Sequence, residues 1–293
     1  MESKELLGRL RRVEIRARGL SHQIFAGEYH SAFRGRGMAF SEVRAYRYGD
    51  DIRNIDWNVT ARFNEPYVKV FEEERELTVM LLVDVSGSRL FGTQGLSKKN
   101  VMTEVAAVLA FSAIQNNDKI GVILFSDQVE LFIPPQKGRK HILRIIWELM
   151  RFQPKSAKTD VGGALRYLTH AIRKRCTAFV LSDFVDLEGE ALRFTDALNI
   201  ASNKHDVVGL RVYDPREQEL PDVGMVRLVD AETGATRWID TSVRRFREQY
   251  AARFMEHTAM LKRAFARAGV DWVSISTAED YVYPLIKLFK QRS

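Results

Sequence analysis

The chain has 293 residues, 45% hydrophobic and 28% charged, which is enough for one large globular domain with a sizeable core. Its single cysteine excludes an intramolecular disulfide and a thiolate metal cluster within one chain, and it favours a reducing cytoplasm. The formal charge of +7 is compatible with binding to nucleic acid or with peripheral contact with an anionic membrane. The sequence contains no apolar run of about 18 residues and no signal-peptide core. We therefore do not expect a membrane-spanning or exported chain.

The first element that the sequence predicts is a helix over residues 3–18. Its apolar residues recur at helical spacing and form one stripe, made of Leu6, Leu10, Val13 and Ala17. The other faces are basic. We interpret the helix as packed on the main domain with a solvated basic face, in preference to a dedicated binding helix. Residues 19–40 are rich in glycine and are expected to be irregular.

Residues 41–76 mix extended and helical patterns. Asp50 or Asp51 is placed to cap a short helix that runs through Trp57, and a strand is predicted to begin at Pro66. We assign residues 1–77 to a basic helix and an α+β lead-in segment.

From residue 78 onward, apolar strands alternate with amphipathic helices. The strands are TVMLLVDV, KIGVILFSD, CTAFVLSDF, DVVGLRVYD and VDWVSIS, and VELFIPP is expected to form a hairpin with the second of them. A further hairpin, near residues 225–240, has Thr233 and Gly234 at its turn. The alternation predicts an α/β domain over residues 78–293, with a Rossmann-like, mostly parallel open sheet and helices on both faces.

Polar side chains follow several of these strands. The first strand ends in Asp84, Ser86 and Ser88, a later strand ends in Asp183, and Thr159 stands just before a helix. Because ligands bind at the carboxyl ends of strands in such sheets, we expect these five residues to gather. Carboxylate and hydroxyl oxygens suit a hard cation, Mg²⁺ first, with Mn²⁺ and Ca²⁺ as alternatives.

Each motif also has a plainer interpretation, in which the aspartates end strands and the hydroxyls cap turns. Three such motifs in order favour the metal site. The site has few carboxylates, and we expect an acidic side chain of a partner to complete it.

The DVSGS motif, the threonine of KTD and the aspartate of LSDF resemble the metal-ion-dependent adhesion site of von Willebrand factor type A domains. The sequence from Phe33 to Ser88 resembles the bacterial DUF58 family, whose members carry such a domain. The resemblance implies that Ser86, Ser88 and Thr159 ligate the metal directly. It also implies a MoxR-type AAA+ ATPase as partner, with the chain as a non-catalytic adaptor or co-chaperone in assembly, activation or cofactor insertion of client proteins.

Two alternatives to the adaptor stay open. The first is a phosphatase-like, metal-dependent hydrolase, although SGS lacks the nucleophile elbow and Ser86 stands where a second aspartate would be needed. The second is non-specific nucleic-acid binding through the basic segments, which contain no base-reading motif. Several arginines are candidates for contacting the protein partner of the adaptor: Arg11, Arg12, Arg34, Arg36 and Arg89.

Overall fold

The computed structural model describes residues 8, 11–20, 38–63, 65–73, 77–90, 97–188, 191–229 and 235–292, with no account of the side chains of 38–41, 71–73, 89–90, 187–188 and 191. The chain divides into two compact units. One is formed by residues 33–77, and the other joins residues 1–32 to residues 78–293. One boundary between the units falls before residue 78, and the first helix lies in the larger unit.

The smaller unit is built on an antiparallel pair of strands, β1 (Met38–Ala45) and β2 (Tyr67–Glu73). A 3₁₀ turn at Ile52–Asn54 and helix α2 (Trp57–Phe63) connect them. The predicted strand after Pro66 is therefore confirmed.

The predicted helix through Trp57 is wrong in its position, since α2 begins at that residue. Asp51 caps only the 3₁₀ turn, and the carboxylate of Asp56 accepts the amide hydrogen of Asn58 at 3.0 Å at the start of α2. Asp50 instead forms a two-pronged ion pair with Arg44 at 2.7 and 2.8 Å, and this contact holds the pKa of Asp50 at about 2.

The larger unit contains a six-stranded sheet with the order β12-β9-β6-β3-β4-β5. All neighbours are parallel except β4 and β5, which form the expected antiparallel hairpin. The sheet is therefore mostly parallel, as predicted. Its strands are β3 (Thr78–Asp84), β4 (Lys119–Phe125), β5 (Val129–Gln136), β6 (Thr177–Ser182), β9 (Asp206–Tyr213) and β12 (Asp271–Ser276).

Helices cover both faces of this sheet. They are α3 (Lys98–Gln115), α4 (Arg139–Arg151), α5 (Val161–Ala171), α6 (Thr195–Lys204), α7 (Pro215–Gln218), α8 (Arg244–Ala268) and α9 (Val282–Arg292). One face packs against α5, α6 and α8 through a cluster that includes Met80, Leu82 and Phe265. The opposite face packs against α9, where the rings of Phe179 and Phe289 lie 6.3 Å apart, and against α3, which is buried along most of its length.

The first helix is described over residues 11–20, here α1, and it continues two residues past the predicted end. Ala17 is buried, as the predicted apolar stripe requires. Arg16 pairs with Glu104 of α3 at 3.1 Å, and Glu14 pairs with Arg139 of α4. The helix is thus packed on the larger unit, and residues 3–7, 9 and 10 of the predicted helix lie outside the described part.

Two short antiparallel pairs complete the unit. Strands β7 (Leu187–Glu188) and β8 (Ala191–Leu192) form the first pair. The sequence pattern of residues 189–204 is helical, but the helix itself starts only at Thr195. The predicted hairpin is present as β10 (Met225–Val229) and β11 (Thr236–Asp240), and its turn lies outside the described residues. Within the described part of the chain, the helices are too short or too polar to cross a membrane.

Candidate metal centre

The polar strand ends meet between β3 and β6, where the order in which the chain adds strands to the sheet changes side. From β3 the chain moves to β4 on one side, and from β6 it moves to β9 on the other. Such a switch point opens a crevice at the carboxyl ends of the two central strands, which is where open α/β sheets bind ligands. Asp84 ends β3, and Asp183 follows the last residue of β6.

Asp84 is a buried carboxylate with neutral hydrogen-bond donors. Its Oδ1 accepts the amide hydrogen of Ser86 at 2.9 Å, and its Oδ2 accepts the hydroxyl of Ser182 at 2.6 Å. Burial raises the pKa of Asp84 to about 6, and the nearby charge of Asp183 adds to this effect. Among the described side chains, no cation forms an ion pair with this carboxylate.

The two serines of the DVSGS motif lie side by side. Their hydroxyl oxygens are 3.2 Å apart, and Ser86 is buried. The amide of Gly87 donates to the carbonyl of Ala157 at 2.9 Å, so the loop that carries Thr159 runs directly past the end of β3. The Thr159 side chain is buried, but no hydrogen bond among the described residues joins its hydroxyl to the other predicted ligands.

Asp183 is held in place by a strained turn. Phe184, the next residue, has a positive φ of 58°, which is uncommon for a residue with a side chain. Its ring packs on Phe265 with centroids 5.2 Å apart, and its carbonyl accepts a hydrogen bond from His257 at 3.0 Å. These contacts stabilise the backbone turn that fixes Asp183 beside Asp84.

Asp183 differs from Asp84 in having a cationic partner. The ammonium of Lys98 donates to its Oδ2 at 2.8 Å and to Glu217 at 2.5 Å. Burial alone would raise the pKa of Asp183, but the charge and hydrogen bond of Lys98 outweigh it and lower that pKa. Burial also raises the pKa of Glu217, against the influence of Lys98.

A second buried cation, Arg211, lies behind the centre on β9. It donates to the hydroxyl of Thr258 at 2.7 Å and lies 4.5 Å from the ring centroid of Phe254. Burial lowers the pKa of Arg211, and burial followed by the charge of Arg211 lowers the pKa of His257. His257 is consequently neutral and points its Nε2 at a backbone carbonyl, away from any role as a base.

The carboxylate and hydroxyl oxygens at the ends of β3 and β6 fit a hard divalent cation. In an octahedral site with metal–oxygen distances of about 2.1 Å, adjacent ligands are about 3.0 Å apart, close to the separation of the two serine hydroxyls. Three carboxylates, those of Asp84, Asp183 and Glu217, and the one ammonium of Lys98 leave the group a net charge of −2 when all are ionised. When bound, Mg²⁺ would be held by the hydroxyls of Ser86, Ser88 and Thr159. A partner's carboxylate would then coordinate the positively charged ion.

The structure places Asp84, Ser86, Ser88 and Asp183 at one edge of the sheet, with Lys98 and Glu217, which sequence reasoning missed. One signal was present, because a lysine in the first turn of a helix opposes the helix dipole and needs a tertiary reason. Of the arginines proposed to contact a partner, two are exposed on α1, while the others or their side chains lie outside the described residues, namely Arg34, Arg36 and Arg89.

Comparisons with known proteins agree with this fold. A family model described as protein of unknown function DUF58 matches residues 42–260. Uncharacterized proteins of Mycobacterium bovis and Mycobacterium tuberculosis are each 30% identical over 297 residues, covering 100% of this chain and 91% of the relative.

Solved structures share the architecture at low identity. An aerotolerance-related membrane protein from Bacteroides fragilis is 18% identical, with a TM-score of 0.51, and the match covers 74% of this chain and 98% of that one. At that identity the likeness shows the fold alone. The shared fold is a mostly parallel open sheet with helices on both faces.

Proposed function

The chain belongs to the DUF58 family, and from this premise we propose that it is a protein-interaction adaptor whose candidate centre binds Mg²⁺. An acidic side chain of the partner completes the coordination. The adaptor binds and releases partners without itself catalysing a reaction.

The carboxylate of Asp84 is the observation that carries this proposal. It is 1% exposed, it ends the central strand, and its described donors are a hydroxyl and an amide. A buried carboxylate without a counter-charge is unfavourable, and a divalent cation beside it would remove that penalty. The net charge of −2 around it matches such an ion.

We further propose that the partner is a MoxR-type AAA+ ATPase acting on a client protein. Support for this finer step comes from the family resemblance of the sequence, and the candidate centre supplies a mechanism for docking. Because such an ATPase consumes ATP, the proposal places the complex in the cytoplasm, in keeping with the single buried cysteine.

The direct test is capture of the purified ATPase on the immobilised full chain, with Mg²⁺ and with chelator. We expect Ser86→Ala to reduce capture in Mg²⁺ at least about tenfold, since it removes one metal ligand. Asp84→Ala should behave in the same way. Both variants must keep the wild-type circular dichroism spectrum.

Ser202→Ala is a matched control, because that serine is partly exposed on α6 and, among the described residues, its hydroxyl donates to a backbone carbonyl one turn back. It should capture the ATPase as well as wild type. Equal capture of the ATPase with Mg²⁺ and with chelator would contradict metal-bridged docking.

The hydrolase alternative has less support. The imidazole of His257, which bonds to the residue next to Asp183, is committed to the carbonyl of Phe184 and to the Arg211 side chain. A general base needs a free nitrogen within reach of the nucleophile. Metal-dependent phosphatase turnover that disappears in Asp84→Ala would instead favour the enzyme.

A further inference from the structure

Lys98 is a fully buried lysine with two carboxylate partners. Its side chain is 0% exposed, although it stands at the first position of a helix, and its ammonium contacts Asp183 and Glu217. A lysine is seldom buried in this way unless it is paired. The charges of the two carboxylates outweigh burial and raise the pKa of Lys98, so the ammonium stays charged.

The position of this ammonium matters because Asp183 also belongs to the candidate metal centre. Oδ2 of Asp183 accepts from Lys98, while Oδ1 accepts the amide hydrogen of Val185 at 3.2 Å. A divalent cation beside Ser86 and Ser88 would therefore meet a carboxylate that is already neutralised. It would also meet the repulsion of a positive charge in a poorly solvated pocket, where charges interact more strongly than in water.

We propose that Lys98 is the residue that sets the cation affinity of this centre, acting as a fixed internal counter-charge that competes with a divalent metal for Asp183. The inference rests on the proposed function in taking the centre as a metal site. It adds that the centre binds metal weakly on its own. A partner's carboxylate then raises the affinity by supplying negative charge that Lys98 does not neutralise.

Glu217 has the opposite role in this scheme. It draws the ammonium toward α7, and its other oxygen accepts the amide hydrogen of Asp214 at 3.0 Å as part of a capping box. Loss of its charge would leave Lys98 paired with Asp183 alone. The two substitutions Lys98→Met and Glu217→Gln are therefore expected to change metal affinity in opposite directions.

The experiment is isothermal titration calorimetry of the full chain with MgCl₂, repeated with MnCl₂. We expect Lys98→Met to bind Mg²⁺ at least about tenfold more tightly than wild type, because one nearby positive charge is removed. Adding Asp84→Ala to that variant should abolish the gain, which locates the ion at this centre.

Lys140→Met is the matched control. It removes the same charge from an exposed position on α4, beside His141, whose ring bonds to the carbonyl of Ile120 at the opposite, amino end of the strands. Its Mg²⁺ affinity should equal that of wild type. Should Lys98→Met fail to fold, Glu217→Gln, which changes a less buried side chain, provides the second measurement, with an expected loss of about fivefold or more.

The outcomes separate this inference from the proposed function. Equal Mg²⁺ affinity in wild type, Lys98→Met and Glu217→Gln overturns the role of Lys98 and leaves a metal-dependent adaptor standing. Binding by Lys98→Met with none by wild type supports the role of Lys98, and capture of the ATPase with Mg²⁺ and with chelator then decides the proposed function separately. Absence of binding in every variant overturns the role of Lys98.

Discussion

Asp84 and Asp183 are neighbouring buried carboxylates whose pKa values move in opposite directions. Burial raises the pKa of Asp84 to about 6, whereas Lys98 outweighs burial and lowers the pKa of Asp183. The difference arises because a single ammonium contacts only one of them. The centre is consequently asymmetric, and an incoming cation gains more by approaching Asp84.

A second buried polar pair lies at the other end of the strands. The thiol of Cys176 lies 3.3 Å from Nδ1 of His205, and burial raises the pKa of the thiol to about 12. The protonated thiol and Nδ1 share this hydrogen bond, and Nε2 of His205 has no hydrogen-bond partner among the described residues. Burial, with the charges of Lys204 and Arg175, lowers the pKa of His205 to about 4.

These values predict how stability depends on pH. The folded pKa of His205 lies below the unfolded value of 6.5, so its contribution is complete above pH 6.5 and is lost as pH falls toward 4. Between pH 7 and pH 5 we expect this residue to cost about 2 kcal/mol of unfolding free energy. Urea denaturation at both pH values should show a smaller loss in His205→Gln than in wild type.

His170→Gln is the control for that measurement, because His170 is exposed on α5. It should keep the wild-type loss of stability between pH 7 and pH 5. If His205→Gln and His170→Gln lose stability equally, protonation of the buried imidazole is not what destabilises the fold in that range.

The sequence predicts part of this residue-level arrangement for a physical reason. Parallel strands deliver their carboxyl ends to one edge, so Asp84 and Asp183 are brought together by topology. Lys98 and Glu217 reach the centre from the starts of two helices far apart in the chain. Their approach depends on how those helices pack, and neither periodicity nor spacing encodes it.

At the scale of elements, β4 depends on the absence of a side chain at one position. A Cβ on Gly121 would lie 2.8 Å from the carbonyl oxygen of Ile133 on β5 and 2.8 Å from the sulfur of Met80 on β3. The backbone contact cannot yield without moving the edge strand. A close approach of three strands thus explains this glycine in the middle of an apolar strand.

We expect Gly121→Ala to lower the unfolding free energy by about 2 kcal/mol or more, through overpacking between β3 and β5. Thermal and urea denaturation at neutral pH measure the effect. Gly19→Ala is the matched control, since a Cβ at that exposed helical position meets nothing within 4 Å. The control should be neutral or stabilising by up to about 1 kcal/mol. Similar losses in both variants would contradict the packing explanation.

Element types were more predictable than element boundaries. Continuous apolar runs correctly indicated the buried parallel strands, because both faces of those strands are covered by helices. The helical pattern of residues 189–204 begins before the helix that starts at Thr195, because the chain first forms the short pair β7–β8, whose pairing depends on tertiary contacts. Likewise, Asp56 caps α2 where we had expected Asp50 or Asp51, since any of the three aspartates satisfies the same capping rule.

At the scale of the whole molecule, charge is distributed unevenly. The chain carries +7, whereas the cluster of Asp84, Asp183, Glu217 and Lys98 carries −2 when ionised. A basic exterior attracts acidic partners over distances of about 8–10 Å at moderate salt. The proposed metal, once a partner's carboxylate completes its coordination, would lie in this acidic centre. The two properties together suit a partner whose acidic surface is drawn in and then contacts a bound metal.

Arg11 and Arg12 on α1 allow this idea to be tested, because both are exposed while the same helix is anchored by Arg16 and Glu14. Arg11→Glu/Arg12→Glu should slow association with the ATPase about fivefold at low salt and weaken the salt dependence of the on-rate, with little change in the off-rate. Biolayer interferometry at two salt concentrations measures both rates. The same reversal at exposed positions 173 and 174, in the loop before β6, changes the chain's net charge equally. An equal slowing in that control would mean that overall charge, and not α1, steers the partner.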